Sequence, residues 1–363
     1  MNDTSSVGVN DTDKVDTTSI KCSSCGANMV FDPDSQMLFC SHCGTKQSFK
    51  SNDLADELDI LSGFETNEQW TDKEVSVFNC DNCGAKIVFN NGETSSFCPF
   101  CGTSHVVKSS ELAGIKPNGI LPFTFSLEKG VDFAKAWAKR RLYAPRKFKK
   151  NLSAKNVKGV YTPCFTFDSR TFTVYRATLG DTRTRTVGSG KNRRTETYTV
   201  WRTVSGSYED FFDDVLVTAG TKFDQNRLNK VMPFDTNNSS SFDENFMLGF
   251  SAYHYDRDVK DCWDDAKNAI DDQIKKRILS RYSYDVLGSF EASTKHMDVT
   301  YKYVMLPVYI GNFSHGKKLY NFYVNGTNGR VSGKSPVSLV KVLLTVLLSV
   351  ALIGLIGLLI YSS

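Results

Sequence analysis

Eight cysteines between positions 22 and 101 constrain this chain more than any other feature of its sequence. They form four knuckles of the pattern Cys-x-x-Cys-Gly, grouped in two pairs. Within each pair 14 residues separate the knuckles, and each cysteine of the second pair follows its counterpart by 58 positions. The eight positions are Cys22, Cys25, Cys40, Cys43, Cys80, Cys83, Cys98 and Cys101. This repetition indicates a duplicated four-cysteine metal site.

Each pair of knuckles predicts a zinc ribbon, one over residues 21–48 and one over residues 78–107. A Cys-x-x-Cys turn places two thiolates on one metal ion, and four thiolates complete the tetrahedron that structural zinc prefers. The glycine after each knuckle can adopt the left-handed conformation that such a turn needs. The sequence therefore predicts two zinc ions per chain. Because so small a unit has almost no apolar core, metal binding has to supply its folding free energy.

Two other uses of these cysteines stay open at this stage. They could form redox-active pairs, although no βαβ pattern of the thioredoxin type surrounds them, or they could bind iron as rubredoxin does. A catalytic zinc is disfavoured, because four thiolates leave no open coordination position. His42 lies inside a knuckle, and we interpret it as a surface residue rather than a ligand.

The remaining composition is that of a folded protein, with 40% hydrophobic residues, 23% charged residues and a formal net charge of +4. That charge alone does not imply a nucleic-acid partner. Residues 1–20 are rich in Asp, Ser and Thr, lack the apolar core of a signal peptide and predict a disordered lead. We therefore expect a reducing compartment, in which cysteines at this spacing are metal ligands rather than disulfides.

The middle of the chain predicts a single larger unit. Residues 49–77 predict a linker with a short helix, and residues 115–335 predict an α+β domain with an antiparallel sheet. One amphipathic helix is expected after Ser126 and another from Val259 to Ile278. Alternating residues on both sides of 188–192 predict a β-hairpin. The first helix is expected to have an apolar face of Leu127, Val131, Ala134, Ala138 and Leu142.

A weaker repeat within the α+β domain suggests an internal duplication. Residues 121–125 (LPFTF) precede a predicted helix that contains a tryptophan, and so do residues 248–252 (LGFSA). Downstream, residues 160–163 (VYTP) resemble residues 304–307 (VMLP). The hypothesis is two strand–helix–strand–strand halves, and the alternative is coincidence among common apolar residues.

Residues 342–361 contain no charge and form most of a predicted transmembrane tail anchor at residues 339–361. Twenty helical residues rise about 30 Å, which is enough to cross the hydrocarbon core of a bilayer. Arg330, Lys334 and Lys341 precede the segment and no basic residue follows it. We therefore expect a single-pass protein of the cytoplasmic membrane with its N-terminal domains in the cytoplasm.

No catalytic or cofactor-binding residues stand out, so we expect a protein that is not an enzyme. Residues 188–191 (GSGK) lack the leading glycine of a phosphate loop, and Asn192 stands where such a loop has Ser or Thr. Cys164 and Cys262 each lie on an apolar pattern and are predicted to be core residues.

Residues 135–158 contain ten Lys or Arg and no Asp or Glu, and three interpretations of this basic segment stay open. It could be a solvated or protein-binding surface that pairs with acids such as Asp261, Asp264 and Asp265. It could lie on an anionic membrane, where each basic residue contributes about 1 kcal/mol. It could bind nucleic acid, although no known reading element is recognisable.

The chain from Lys21 onward combines these knuckles with several short motifs. They are residues 121–123 (LPF), 159–163 (GVYTP), 248–250 (LGF), 306–307 (LP) and 323–333 (YVNGTNGRVSG). In this combination the chain resembles the bacterial membrane-anchored TFIIB-type zinc-ribbon proteins, the YdjG-like family often labelled primosomal or replication-factor-like. One departure is Cys164-Phe165, where the family pattern has aromatic residues. The resemblance implies no established enzymatic activity, and it implies a membrane-fixed platform for PspA-like or flotillin-like partners in a membrane-stress system.

The sequence thus predicts a multidomain protein of two small β zinc ribbons, an α+β domain with an antiparallel sheet and one C-terminal transmembrane helix. Its expected function is that of a non-enzymatic membrane-anchored adaptor or scaffold, which presents cytoplasmic domains to protein partners. The alternative is a membrane-tethered nucleic-acid-binding protein that uses the ribbons and residues 135–158. No small-molecule substrate is evident.

Overall fold

The computed structural model describes residues 20–49, 53–65, 75–90, 98–103, 106–109, 115–150, 152–316 and 318–362. The predicted disordered lead lies outside these residues except for its last position, Ile20. The strands are β1 (Met29–Asp32), β2 (Met37–Cys40), β3 (Lys46–Gln47), β4 (Leu58–Asp59), β5 (Val75–Cys80), β6 (Lys86–Asn90), β7 (Val106–Ser109), β8 (Gly119–Ile120), β9 (Val157–Val187), β10 (Arg194–Thr218), β11 (Ser240–Ser241), β12 (Ser251–Tyr253), β13 (Val286–His315), β14 (Lys318–Asn325) and β15 (Val331–Gly333). The helices are α1 (Ile60–Glu65), α2 (Leu127–Lys139), α3 (Arg146–Lys150), α4 (Gln225–Val231), α5 (Val259–Leu279) and α6 (Leu339–Ser362).

The two ribbons are attached to the rest of the fold in different ways. The first forms its own three-stranded antiparallel sheet of β1, β2 and β3. The second contributes β5 and β6, and β6 pairs with β12 so that this ribbon extends the large twelve-stranded sheet. Two tetracysteine units, a sheet-rich domain with antiparallel strands and one C-terminal apolar helix confirm the predicted multidomain fold class.

Three long antiparallel strands form the spine of the large sheet. β9 has 31 residues and pairs with β13 on one side and with β10 on the other. The connection between β9 and β10 falls at residues 188–193, which confirms the predicted hairpin. Along residues 169–177 of β9, buried and exposed side chains alternate, because successive side chains of a strand point to opposite faces. One face packs against α5, where Leu279 is buried against Ala177 and Leu179.

Both predicted amphipathic helices are present. α2 begins after Ser126 and buries Val131, Ala134 and Ala138, but it ends at Lys139. The prediction that Leu142 belongs to its apolar face was therefore wrong, because the chain has already turned away from the core there. α5 runs through the predicted span. The predictions for the two single cysteines are confirmed, since the side chains of Cys164 and Cys262 are fully buried.

Backbone pairing favours an internal duplication, but in a register that differs from the predicted one. The duplication itself stays a hypothesis. β8 lies parallel to β13 and β12 lies parallel to β9, and the following helices have N-cap residues Ser126 and Asp258. Aligned on these caps, Trp137 and Trp263 are not equivalent, so the tryptophans do not mark the repeat. Two backbone hydrogen bonds of one half have counterparts in the other. The bond from Gly326 N to Pro307 O (2.9 Å) corresponds to that from Ala219 N to Pro163 O (3.1 Å). The bond from Thr124 N to Gly326 O (3.0 Å) corresponds to that from Asp256 N to Ala219 O (2.9 Å).

The C-terminal helix α6 stands apart from the core. Leu339–Ile360 has a mean hydropathy of 2.9, and none of its most apolar window is buried against the rest of the protein. Its 22 residues rise about 33 Å, so it is long and apolar enough to cross a bilayer.

Candidate metal centres

The four knuckles share one backbone geometry. In each, the glycine N–H donates to the carbonyl of the first cysteine, and the N–H of that cysteine donates to the carbonyl of the residue after the glycine. In the first knuckle these bonds are Gly26 N to Cys22 O at 2.9 Å and Cys22 N to Ala27 O at 2.8 Å. The knuckle glycines Gly26, Gly44, Gly84 and Gly102 have φ of +73°, +78°, +69° and +74°. The left-handed conformation expected from the sequence is therefore present at all four positions.

The hairpins bring the four sulfurs of each ribbon together. In the first ribbon Cys22 Sγ lies 3.4 Å from Cys43 Sγ, and Cys25 Sγ lies 3.5 Å from Cys40 Sγ. The corresponding distances in the second ribbon are 3.5 Å for Cys80 with Cys101 and 3.8 Å for Cys83 with Cys98. The four sulfurs of each group all lie within 4.8 Å of one another, and all ten cysteines are free thiols.

This arrangement fits a four-thiolate metal site. Zinc–sulfur bonds of about 2.3 Å in a tetrahedron place sulfurs about 3.8 Å apart, close to the distances in both ribbons. Each group can therefore hold one metal ion, in agreement with the predicted zinc ribbons. When bound, the ion would link two knuckles and supply Lewis-acid stabilisation of four thiolates. His42 is exposed, as expected for a residue that stands outside the ligand set.

The sulfurs differ in how readily they lose their protons. Burial raises the pKa of Cys83 to about 11 and raises that of Cys98 still further. The pKa of Cys22 is instead lowered to about 6, chiefly because the backbone N–H of Ser24 donates to its sulfur. A metal ion needs all four sulfurs as thiolates, so its binding has to release the protons of the buried cysteines.

The second centre is fixed to the large sheet. The Asn312 side-chain amide donates to the carbonyl of Pro99 at 2.8 Å, and the Asn321 amide donates to the carbonyl of Phe100 at 2.8 Å. The Phe100 ring lies 4.9 Å from that of Tyr253 in β12. The last knuckle, between Cys98 and Cys101, is therefore held by three contacts from the α+β domain.

The first centre is more open. Its ribbon meets the α+β domain through Phe31, whose N–H donates to the carbonyl of Leu248 at 2.9 Å. The Phe31 ring meets that of Phe246 edge-on at 5.2 Å. Cys25 and Cys43 remain exposed, so this centre faces solvent on one side.

A third cluster, of Glu57, Asp168 and Asp214, also brings carboxylates within 4.8 Å of one another. Lys302 already occupies it: its ammonium lies 2.7 Å from Glu57 and 3.0 Å from Asp214. The cluster is therefore an ion-pair network, buried at Lys302 and Asp168 and open to solvent at Glu57, rather than a metal centre. Sequence analysis missed it, because its members come from the linker, β9, the bulge in β10 and β13, and no local pattern connects them.

Two of the three acids suggested as partners of the basic segment pair elsewhere. Asp265 accepts from Arg257 at 2.7 Å, and Asp264 pairs with Lys267 at 2.6 Å. In the basic segment, Lys135 pairs with Asp132 of its own helix at 3.0 Å. The suggested pairing of the basic segment with Asp264 and Asp265 was therefore wrong, because a lysine of α5 and the arginine just before its N-cap pair with them.

Comparison with known proteins gives one relative and no family assignment. A protein of Bacillus subtilis (strain 168) described as uncharacterized protein YdjG is 26% identical over 238 residues, which cover 65% of this chain and 69% of that protein. No family model matches the chain. No solved structure matches it either.

Proposed function

We propose that this chain is a non-enzymatic membrane-anchored adaptor of the TFIIB-type zinc-ribbon kind, which presents its ribbons and sheet-rich domain to protein partners. Zinc is the proposed metal at both tetracysteine centres. Because four thiolates leave no open coordination position, the metal would support structure rather than catalysis. The apolar helix α6 supports the membrane anchor, and the basic residues before it support a cytoplasmic position for the N-terminal domains.

The observation that carries the proposal is an exposed apolar surface on the face of β10, β9 and β13 opposite α5. We call it the open face. Its exposed apolar side chains are Phe172, Val174, Trp201, Phe211 and Val286. They share one face because their strand partners are in register: Gly180 of β9 lies opposite Trp201 on one side and opposite Val286 on the other. Phe172, Val174 and Phe211 form one cluster on this face, and Trp201 and Val286 form a second at the level of Gly180. Clustered exposed apolar side chains mark interaction sites.

Trp201 lies at one end of the open face, opposite Gly180 and six residues along β9 from the level of Val174. Half of its surface is exposed, and its ring lies so close to Gly180 and Gly288 that a Cβ at either position would come within 2.8 Å of it. The two glycines therefore let the ring lie flat on the strands. Aromatic residues held in this way are typical anchors of protein interfaces.

The identity of the partners rests on the family resemblance alone, which implies PspA-like or flotillin-like proteins of a membrane-stress system. The test is affinity capture with the tagged full chain from solubilised membranes of stressed and unstressed cells. Trp201→Ser/Phe211→Ser should lose the captured partners, whereas Leu61→Ser, at an exposed apolar residue of α1, should retain them. Recovery of no partner in either condition, with both zinc ions bound, would contradict the proposal.

A second candidate is nucleic-acid binding, favoured by the tip of the β9–β10 hairpin. Arg183, Arg185, Arg193 and Arg194 are all exposed there, and Glu196 pairs with Arg185 and Arg194 at 3.1 Å each. Such a tip should bind nucleic acid with an affinity that falls steeply with salt concentration. A filter-binding assay of the full chain at low salt tests this, and no binding there would exclude it.

A further inference from the structure

The first turn of α6 is attached to the basic segment. Lys341 Nζ donates hydrogen bonds to the carbonyls of Ala144 at 2.6 Å and Leu142 at 3.2 Å, and Ser338 N donates to the carbonyl of Tyr143 at 2.8 Å. Leu142 is 77% exposed and Tyr143 is 40% exposed. If α6 crosses a bilayer, this loop lies at the level of the lipid headgroups, where amphipathic aromatic side chains are enriched.

A pocket of about 430 Å³ lies beside this junction, and we call it the basic pocket. Four of its lining residues are basic: Arg141, Arg227, Lys230 and Lys334. Its other lining side chains include Asn321 and Ser332, and no Asp or Glu is among the described residues that line it. Arg141 directly precedes Leu142, and Lys334 precedes α6 by five residues, so both sides of the pocket continue into the segments that meet the membrane.

Most of this positive charge is uncompensated. Arg227 pairs with Asp224 at 3.3 Å, but no carboxylate in the described part of the chain lies within ion-pair distance of Arg141, Lys230 or Lys334. Aromatic rings hold the two guanidinium groups in place. Arg141 lies 4.8 Å from the centre of the Trp137 ring, and Arg227 lies 5.6 Å from that of Tyr323. A preformed site with excess positive charge favours an anion, and guanidinium and ammonium groups together match a phosphate.

We propose that the basic pocket binds the phosphate of an anionic lipid headgroup in the leaflet that α6 enters. The position beside the membrane helix favours a lipid over a free phosphate, because basic pockets at this level meet headgroups directly. The amide of Asn321 and the hydroxyl of Ser332 offer hydrogen bonds to the polar remainder of a headgroup such as phosphoglycerol. The site depends on the membrane anchor but not on any protein partner.

The test uses the full chain in detergent micelles with equal amounts of phosphatidylglycerol and phosphatidylcholine of the same acyl chains. Native mass spectrometry then measures which lipid each protein molecule retains. The native chain should retain phosphatidylglycerol preferentially. Lys230→Gln/Lys334→Gln should lower that affinity about 30-fold, since two favourable charges near the anionic group are lost.

The matched control is Lys260→Gln/Lys276→Gln, which removes two exposed lysines of α5 that do not line the pocket. It should keep the lipid preference, and both variants should retain their zinc, which shows that they fold. Equal retention of the two lipids by the native chain would overturn the proposal. Inorganic phosphate that binds as tightly as the lipid would overturn the lipid assignment. Lipid preference without any captured protein partner would count against the adaptor proposal alone.

Discussion

Lys302 Nζ lies 2.7 Å from Glu57 Oε1, and only 6% of the Lys302 side chain is exposed. The same ammonium lies 3.0 Å from Asp214, whose N–H donates to Asp168 at 2.7 Å. Burial raises the pKa of Glu57 and Asp168. Burial alone would lower the pKa of Lys302, but its bonds to Glu57 and Asp214 outweigh that effect and raise it. This network joins the linker before α1 to the central strand β13.

Lys302→Met should lower the free energy of unfolding by about 3–5 kcal/mol, because it leaves buried carboxylates without their counter-charge. Urea denaturation of the full chain in detergent measures this. The control Lys295→Met removes an exposed lysine from the same strand and should change stability little. Adding Glu57→Gln and Asp214→Asn to Lys302→Met should restore part of the lost stability, because the unpaired carboxylates are then removed. A triple variant no more stable than Lys302→Met would show that packing, rather than charge, accounts for the effect.

The parts of the fold that sequence predicted are those encoded locally. The knuckles at Cys22 and Cys80 encode their own turn through neighbouring glycines, and the period of α5 follows from its apolar residues. The Lys302 network and the open face around Trp201 depend on strand register over more than a hundred residues, so no local pattern shows them. The motif proposed for the duplication misled for the same reason: similar short apolar stretches suggested a register that differs from the one in which Ser126 and Asp258 correspond as helix caps.

Zinc content and thermal unfolding, measured together, should distinguish the two metal centres. Cys22→Ser should reduce bound zinc from two ions to one per chain while the thermal unfolding of the sheet domain changes little, since the first ribbon has its own sheet. Cys80→Ser should also lose one ion and lower the unfolding temperature of that domain, because its ribbon pairs with β12. Elemental mass spectrometry and calorimetry measure the two effects. Cys262→Ala should keep two ions, and iron in place of zinc would contradict the assignment.

The knuckle glycines should matter through conformation alone. A Cβ at Gly26 or Gly84 would meet no atom within 4 Å, yet φ is +73° and +69°. Gly26→Ala should therefore weaken zinc retention about 5–30-fold, since the left-handed conformation costs about 1–2 kcal/mol for an alanine. Competition with a chromophoric chelator measures it. Gly26→Asn should lose less of the zinc affinity, because asparagine tolerates this conformation. An equal loss of zinc affinity in the alanine and asparagine variants would contradict the explanation.

His296 should make stability depend on mildly acidic pH. Burial lowers its pKa, partly offset by Asp271, and its Nδ1 lies 3.2 Å from Ser169 Oγ. The folded state thus binds the proton less readily than the unfolded state, so the stabilisation is present above about pH 6.5 and is lost as pH falls through the lowered pKa.

The check compares urea midpoints at pH 7.5 and 5.5 for the native chain and two histidine variants. His296→Gln should lose less stability over this interval than the native chain. His315→Gln, at an exposed histidine, should follow the native profile. Parallel profiles for the native chain and His296→Gln would exclude a role for His296.

Asn325, in the asparagine-glycine run before α6, holds two parts of the fold together. Its fully buried side chain donates to the carbonyls of Val231 and Pro233, each at 2.9 Å. Its Oδ1 accepts from Thr327 N at 2.8 Å and from Thr327 Oγ1 at 2.7 Å. The side chain thus fixes the end of α4 to the turn after β14, which is the physical reason for an asparagine at this position.

Asn325→Leu should therefore destabilise the full chain by about 2–6 kcal/mol, since at least two buried polar groups lose their partners at about 1–3 kcal/mol each. Asn325→Asp should be no more stable than Asn325→Leu. It keeps the acceptor oxygen but turns a carboxylate oxygen, in place of the amide donor, towards two carbonyls. The control is Asn328→Asp, which loses one bond to Pro233 at an exposed position and should cost under about 1 kcal/mol. Urea midpoints of the three variants decide the matter: if Asn325→Asp were as stable as the native chain, the carbonyls of Val231 and Pro233 would not need this donor.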